Sequence, residues 1–160
     1  MAENTVVAVP RDGTISIING DATTYTVSYE NGDMNMSFDR AERVTVYDRG
    51  SVVGLRFAND PVPQISFTVH FREFTNDSAD TIIDFVYKTG NSAAATSTGG
   101  TGFEPYLVTV EFQENMASLS GSNTKTTFQK VLLTASVAEG SPTSISFTGE
   151  VYGDITRATV

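Results

Sequence analysis

Alternating apolar and polar residues run through the C-terminal third of the chain. After the turn-forming segment 139–142, Ile145, Phe147 and Val151 alternate with small polar residues, and the segment before the turn shows the same period. Successive side chains in a strand point to opposite faces, so this period predicts two strands, each with an apolar and a polar side. The pattern therefore predicts a long hairpin over 125–153. Its continuous polar side is suited to lining or covering a surface rather than to forming a catalytic pocket.

The same period recurs in shorter segments nearer the N-terminus. Turn-forming residues separate them, and they are predicted as strands at 6–9, 14–18, 24–30, 34–38, 44–47, 52–57, 65–71 and 106–112. The pair Asn31-Gly32 predicts a tight hairpin between the third and fourth of these strands. The segment Asp48-Arg49-Gly50-Ser51 predicts a second hairpin, between the fifth and sixth.

A single helix is predicted after the strand at 65–71. Asp77 or Ser78 provides an N-cap, and apolar residues at 82, 83, 86 and 87 have helical spacing. Gly90 suits the position just past the helix end. The segment that follows, about 89–103, is rich in Ala, Ser, Thr and Gly without a period, and we interpret it as a mobile loop.

The composition provides enough apolar material for one packed core. Hydrophobic residues make up 39% of the 160 residues, with ten Phe and six Tyr. Length and the lack of an internal repeat favour a single domain over 1–160. The predicted fold class is mainly β, a β-sandwich or barrel with one flanking α-helix.

The charge and the cysteine count exclude several classes of function. The net charge of −9 repels nucleic acid and anionic membrane, which argues against reading DNA sequence but is compatible with DNA as a non-adhering cargo. Without cysteine there is no disulfide framework and no thiolate metal site. The first residues lack the features of a secretory signal, and no segment reaches the length of a transmembrane helix. We therefore expect the protein to be made in the cytoplasm and used there, or assembled there into a particle that later leaves.

The residues that most often carry chemistry do not form a recognisable constellation. His70 is the only histidine. The segment 33–37 starts like a calcium loop but has Phe38 where the loop needs glycine and Val44 where it needs glutamate. The segment Gly99-Gly100-Thr101-Gly102 lacks the Lys-Ser/Thr of a phosphate-binding loop. The sequence thus predicts no catalytic residue, no cofactor and no metal, and a protein that is not an enzyme.

Several soft features together resemble a known family. They are the strand entry Asp12-Gly13-Thr14-Ile15, the acidic hairpin around Asn31-Gly32-Asp33, the single helix before a loop, and the closing hairpin with Lys125-Thr126-Thr127-Phe128, Glu139-Gly140-Ser141-Pro142 and Val151-Tyr152-Gly153-Asp154. With this strand order, the chain resembles the major tail tube proteins of long-tailed, siphovirus-like bacteriophages over most of its length.

The resemblance implies an assembly and a set of partners. Six copies would close a ring through a shared inner β-barrel, and rings would stack into a virion tail tube assembled in the host bacterial cytoplasm. The tube would hold the tape measure protein and later pass DNA into the host, and a tail terminator and a distal tail protein would meet its ends.

Two sets of residues are candidates for these roles. The lumen-facing candidates share the polar side of predicted strands: Ser66, Thr68, His70, Ser144, Ser146, Thr148 and Glu150. The candidates for contacts between subunits or rings lie in predicted turns and loops: Asp48, Arg49, Gly50, Ser51, Gly99, Gly100, Thr101 and Gly102.

Two other classes of function remain open at this point. Another virion β-domain, such as a capsid decoration or distal tail protein, would share the composition but form trimers or a single ring. A carbohydrate-binding module is the alternative from a different class. The absence of tryptophan, the preferred side chain for stacking on sugars, counts against it.

Overall fold

The structure is a computed structural model that describes residues 13–28, 34–38, 42–70, 81–114, 123–140 and 144–160. Over these residues the chain forms mainly strands, with one short α-helix and a single 3-10 turn at Gly90–Ser92. The elements in chain order are β1 (Thr14–Ile18), β2 (Thr24–Ser28), β3 (Met34–Ser37), β4 (Arg43–Asp48), β5 (Ser51–Phe57), β6 (Gln64–His70), α1 (Ile82–Tyr87), β7 (Val108–Glu114), β8 (Thr124–Ala138), β9 (Ser144–Val151) and β10 (Ile155–Thr159).

Eight of the strands form one continuous antiparallel sheet. Its order is β2-β1-β7-β8-β9-β6-β3, and β10 also pairs with β8. The strands β4 and β5 form a separate two-stranded hairpin. The predicted mainly β class with one helix is therefore confirmed for the described residues, and the strands form one large sheet with a detached hairpin.

The central strand, β8, changes partner along its length. Its second half pairs with β9, from Val131 opposite Val151 to the turn, whereas its first half pairs with β10. The change falls at Lys130, whose φ of 54° bends the strand. Beside the bend, a Cβ on Gly153 would lie 2.7 Å from the Gln129 carbonyl oxygen, so the chain can pass there only with glycine. The prediction of one hairpin over the whole of 125–153 is thus wrong for its first half, and β10 was not predicted.

The predicted hairpin between β2 and β3 is also wrong. These strands lie at opposite ends of the large sheet, where β2 pairs with β1 and β3 pairs with β6. The Asn-Gly turn signal is local, and burial of the apolar sides decides the pairing instead. At one end of the sheet, Tyr25 of β2 packs near Phe85 of α1, with ring centroids 6.0 Å apart. At the other end, Met34 and Met36 of β3 pack against the core.

One hydrophobic core joins the two halves of the sheet to the helix. The apolar row of β9 is buried as predicted, and Phe147 stacks on Phe67 with ring centroids 5.0 Å apart. Along β8 the row is buried only as far as Leu133, and Val137 is 54% exposed. The core members with no more than 1% exposure are Ile15, Ile17, Ile65, Phe67, Phe85, Val108, Val110, Phe128, Val131, Ile145 and Phe147. The polar sides of the same strands are left on the surface.

The helix is shorter than predicted. Thr81 is its N-cap, because the Thr81 hydroxyl accepts a hydrogen bond from the Asp84 N–H at 2.9 Å. The left-handed residue at its end is Lys88, with φ of 58°, rather than the predicted Gly90. The Thr89 and Thr81 hydroxyls donate to the Asp84 carboxylate and lower the pKa of that group. The short helix is therefore closed at both ends by its own side chains and backbone.

The segment 89–103, for which the sequence predicts mobility, is attached to the turn after β1. The Thr96 N–H and hydroxyl both donate to the Asp21 carboxylate at 2.8 Å, and they lower the pKa of Asp21. Farther along, the Leu107 N–H donates to the Ser97 hydroxyl at 2.9 Å. These contacts hold the middle of the segment, and its glycine-rich part follows them.

Several sequence predictions fall on residues outside the described part of the chain. They are the strand at 6–9, the turn at Asn31-Gly32, the caps Asp77 and Ser78, and the hairpin turn at Ser141-Pro142.

Candidate functional site

The seven lumen-facing candidates lie together on one face of the large sheet. They come from β6 and β9, whose antiparallel register brings their polar residues side by side in the pairs Ser66–Thr148, Thr68–Ser146 and His70–Ser144, with Glu150 opposite Gln64. Thr134 and Ser136 of β8 extend the same rows on the other side of β9. We call this surface, formed by the polar side of β6, β9 and residues 132–138, the hydroxyl face.

The hydroxyl face is nearly uncharged. Over the described residues of these strands, its ionisable side chains are Glu150 and His70, and it carries no Lys or Arg. Neighbouring hydroxyls bond to one another, as Thr68 Oγ1 and Ser146 Oγ do at 3.2 Å. At its edge, Glu150 accepts a hydrogen bond from the Tyr152 hydroxyl, which raises the pKa of Tyr152 above its usual value. The described part of this surface is suited to holding water, and it offers no Lys or Arg to displace the counterions of a phosphate.

The second candidate surface is the hairpin formed by β4 and β5. We call residues 43–57 the arm. Its two strands pack against each other, and none of its side chains belongs to the hydrophobic core. An isolated two-stranded hairpin is marginally stable in water. The arm therefore stands away from the packed part of the described chain and depends on further contacts to be held firmly.

One side of the arm is apolar and exposed. The antiparallel register places Tyr47 opposite Val52, Thr45 opposite Leu55 and Arg43 opposite Phe57, so these side chains share one side. Four of them are large and apolar, with exposed fractions of 64% for Tyr47, 62% for Val52, 61% for Leu55 and 66% for Phe57. An exposed apolar cluster of this kind favours a role in interaction.

The tip of the arm is a tight turn that presents an arginine. Arg49 and Gly50 both have positive φ, 47° and 85°, as the favoured two-residue hairpin turn requires. Glycine adopts this conformation freely, whereas Arg49 does so at a cost of roughly 1–2 kcal/mol. An arginine at the first position of this turn is therefore unfavourable for the isolated hairpin, which points to a role for its side chain.

The arm has the opposite charge to the rest of the chain. It contains three arginines and one aspartate, for a net charge of +2, within a chain of net charge −9, so the other residues carry −11. An apolar and cationic projection on an acidic protein is suited to binding an acidic surface with apolar patches.

Sequence reasoning selected the arm's tip but missed its apolar side. Asp48, Arg49, Gly50 and Ser51 are all exposed at the tip, as expected of contact residues. The missed signal is the run Val52-Val53-Gly54-Leu55, which is apolar on both sides of a strand. That pattern is typical of a strand covered on both sides, yet here both sides are open.

The glycine-rich candidates do not behave as one group. Gly99 is buried, since a Cβ there would lie 3.0 Å from both Leu107 Cδ1 and Phe103 Cβ. Gly100, Thr101 and Gly102 are exposed and lead into Phe103. The exposed part of this loop therefore belongs with the surface around Phe103.

Comparison with known proteins gives no assignment for these surfaces. No family model matches the chain, and no curated protein or solved structure matches it either. Within the described ranges, no group of three or more His, Asp or Glu side chains is arranged to hold a metal ion. No helix in this part of the chain is long and apolar enough to cross a membrane.

Proposed function

We propose that the chain is a structural protein that assembles with copies of itself into a bacteriophage tail tube, as stacked hexameric rings through which DNA passes. The observation that carries this proposal is the arm, a detached hairpin with four exposed large apolar side chains on one side. A monomer has no evident use for such a projection. The opposite charges of the arm, +2, and of the rest of the chain, −11, make a copy of the same chain a suitable partner.

The open edge of β8 supports assembly through strand pairing. β7 pairs with β8 only as far as Val131, so over the described residues the later part of β8 has a strand on one side alone. On the open side the Ala135 N–H already donates to the Tyr87 hydroxyl at 2.7 Å, whereas Val137, farther along the strand, is 54% exposed. An open edge of this length is a template for another strand, and a shared barrel would cover it.

The hydroxyl face supports the role of a channel wall. In this proposal the bent sheet packs as a sandwich, with its apolar side inward and the hydroxyl face toward the lumen. Its row of hydroxyls with one carboxylate would let an anionic polymer pass without adhering, because the described residues of the face supply no Lys or Arg to neutralise phosphates. The tape measure protein would occupy the same channel before DNA, and a tail terminator and a distal tail protein would bind the tube ends.

The proposal predicts a concentration-dependent polymer. Purified protein is expected to form rings or tubes in negative-stain microscopy over a concentration series, with matching large species in sedimentation velocity. A capsid decoration or distal tail protein, which could use the same arm, would instead stop at trimers or single rings. A folded monomer at the highest concentration tested would contradict self-assembly altogether.

A cation on the hydroxyl face is expected to make the channel adhesive. Thr148→Lys adds one positive charge per copy at an exposed position in the middle of the face, so each hexameric ring gains a circle of cations. Tubes assembled from this variant with short duplex DNA are expected to retain DNA, and the retention should fall steeply as salt is raised. The measurement is co-sedimentation of DNA with tubes after nuclease treatment, which spares only enclosed DNA.

The matched control is Thr159→Lys, which makes the same change on β10, away from the hydroxyl face. Its tubes are expected to release any bound DNA to nuclease. If DNA held by Thr148→Lys tubes is digested as readily as in the control, the hydroxyl face lies outside the channel.

A further inference from the structure

A groove lies next to the base of the arm. Three segments line it: Asp60–Pro63, which follows the arm, residues 129–130 at the bend of β8, and residues 151–154 between β9 and β10. Its volume is about 450 Å³, enough for a few large side chains. We call it the basal groove. None of the arm's residues lines the groove of the same chain.

The basal groove gathers exposed apolar side chains. Val62 and Tyr152 line it with exposed fractions of 39% and 43%, and the ring of Phe103 lies 6.4 Å from that of Tyr152. Outside the arm, seven large apolar side chains of the described chain are at least 36% exposed, and three of these, Val62, Tyr152 and Phe103, lie in or beside the groove. Apolar surface concentrated in a concave site favours a binding role.

The groove is also acidic. Asp60 and Asp154 line it, and neither carboxylate forms an ion pair with another described residue. Glu150, which lies outside the lining, accepts a hydrogen bond from the Tyr152 hydroxyl. The one cation of the lining, Lys130, lies over the ring of Phe103 with Nζ 5.0 Å from the ring centroid. The groove therefore combines a net negative charge with the exposed apolar side chains of Val62 and Tyr152.

We propose that the tip of the arm of one copy binds in the basal groove of the next copy, an inference that rests on the proposed self-assembly and names the two surfaces that meet. Arg49 at the tip pairs with Asp60 and Asp154. The neighbouring pair Tyr47 and Val52 covers Val62 and Tyr152. Arginine at such a site makes several charge-assisted hydrogen bonds with fixed geometry.

Three observations support this match. The arm is cationic and apolar while the groove is anionic and apolar, so charge and hydrophobicity are complementary at once. Arg49 occupies a turn position that is unfavourable for arginine, and an ion pair made by its side chain would offset that cost. Tyr47 and Val52 are the exposed apolar pair nearest the tip, so they enter any groove that receives Arg49.

The contact has a consequence for symmetry. The arm and the basal groove are different surfaces, so each copy has one of each to offer. Two copies could exchange arms around a two-fold axis, but where the contact runs head to tail it continues as a ring or an open filament. The head-to-tail form links neighbouring copies in one direction, as growth of a tube requires.

A charge-swap experiment tests the inference on the full-length chain. Asp60→Lys in the groove and Arg49→Glu at the tip are each expected to raise the concentration needed for assembly about ten- to a hundredfold, the scale of losing a charge-assisted hydrogen bond. The double variant is expected to recover at least tenfold of that loss. Sedimentation velocity over a concentration series measures the change, and thermal unfolding checks that each variant is folded.

Asp154→Lys is the second groove variant, and Glu139→Lys is the control. Glu139 is an exposed carboxylate outside the groove, so its reversal changes the net charge equally and is expected to leave assembly within about twofold of the wild type. Assembly of the groove variants at the wild-type concentration would overturn the inference and leave the proposed function intact. Failure of the double variant to recover would overturn the pairing of Arg49 with Asp60. If the wild-type protein stays monomeric at every concentration, the proposed function itself is contradicted.

Discussion

Replacing Leu55 and Phe57 by serine is expected to abolish assembly at concentrations where the wild-type protein forms rings or tubes. Both side chains are more than 60% exposed on the apolar side of the arm, so an assembly contact would bury most of them. Full burial of such a side chain contributes about 1.5–3 kcal/mol. Losing two of them should therefore weaken each contact by about 3–6 kcal/mol, or roughly 10²- to 10⁴-fold.

The fold of the monomer should be unaffected by this change, because neither residue belongs to the core. Thermal unfolding of the double variant is expected to match the wild type, while sedimentation velocity shows monomer alone. Val160→Ser is the control, since Val160 is equally exposed, at 61%, but lies away from the arm. If the double variant still assembles at the wild-type concentration, the arm is not the contact between copies.

Phe147→Ala is expected to lower the free energy of unfolding by about 3–5 kcal/mol, the usual cost of emptying a buried phenylalanine site. Phe147 is fully buried, stacks on Phe67 and lies at the centre of β9, between β6 and β8. Its neighbours belong to paired strands of a sheet and cannot collapse into the space. Urea unfolding should show a lower midpoint with an unchanged slope.

The matched control is the same substitution at Phe57, which is 66% exposed on the arm. Phe57→Ala is expected to change the free energy of unfolding by less than about 0.5 kcal/mol, as is usual for surface substitutions. Phe57→Ala is expected to impair assembly more than Phe147→Ala does. It weakens the contact between copies, although the monomer is still well folded. Equal destabilisation by both would mean that the arm packs on the rest of the chain in solution.

These experiments separate three properties of the chain that the structure places on different surfaces. Phe147 reports on the core, Leu55 and Phe57 on the arm, and Thr148 on the hydroxyl face. The faces of β9 illustrate the separation, because Phe147 and Thr148 are adjacent in sequence and lie on opposite sides of one strand. Stability and the chemistry of the hydroxyl face can therefore be changed independently by neighbouring residues.

Much of the strand structure was predictable from the sequence, because a period of two residues states which side of a strand is buried. That period placed Ile145, Phe147 and Val151 in the core and grouped the hydroxyl-bearing residues of β6 and β9 on the other side. The tip of the arm was equally predictable, since its turn residues are local in sequence. The role of these surfaces in a tail tube stays a prediction.

Strand pairing was less predictable. The turn signal after β2 indicated a hairpin with β3, but burial of the apolar sides at two ends of one sheet prevailed. The partner change of β8 depends on the positive φ of Lys130 and the close passage of Gly153, neither of which has a periodic signature. Because the partner change was not predicted, the pairing of β10 with the first half of β8 was not predicted either.

The sequence by itself determined which residues are apolar on one side of each strand and where local turns reverse the chain. These properties depend on side chains only a few residues apart. The tertiary structure alone decided that the arm stands free of the core, and that Val62, Phe103 and Tyr152 meet at one groove. Those surfaces join segments separated by tens of residues, and only the packing of the whole sheet brings such segments together or leaves a hairpin outside it.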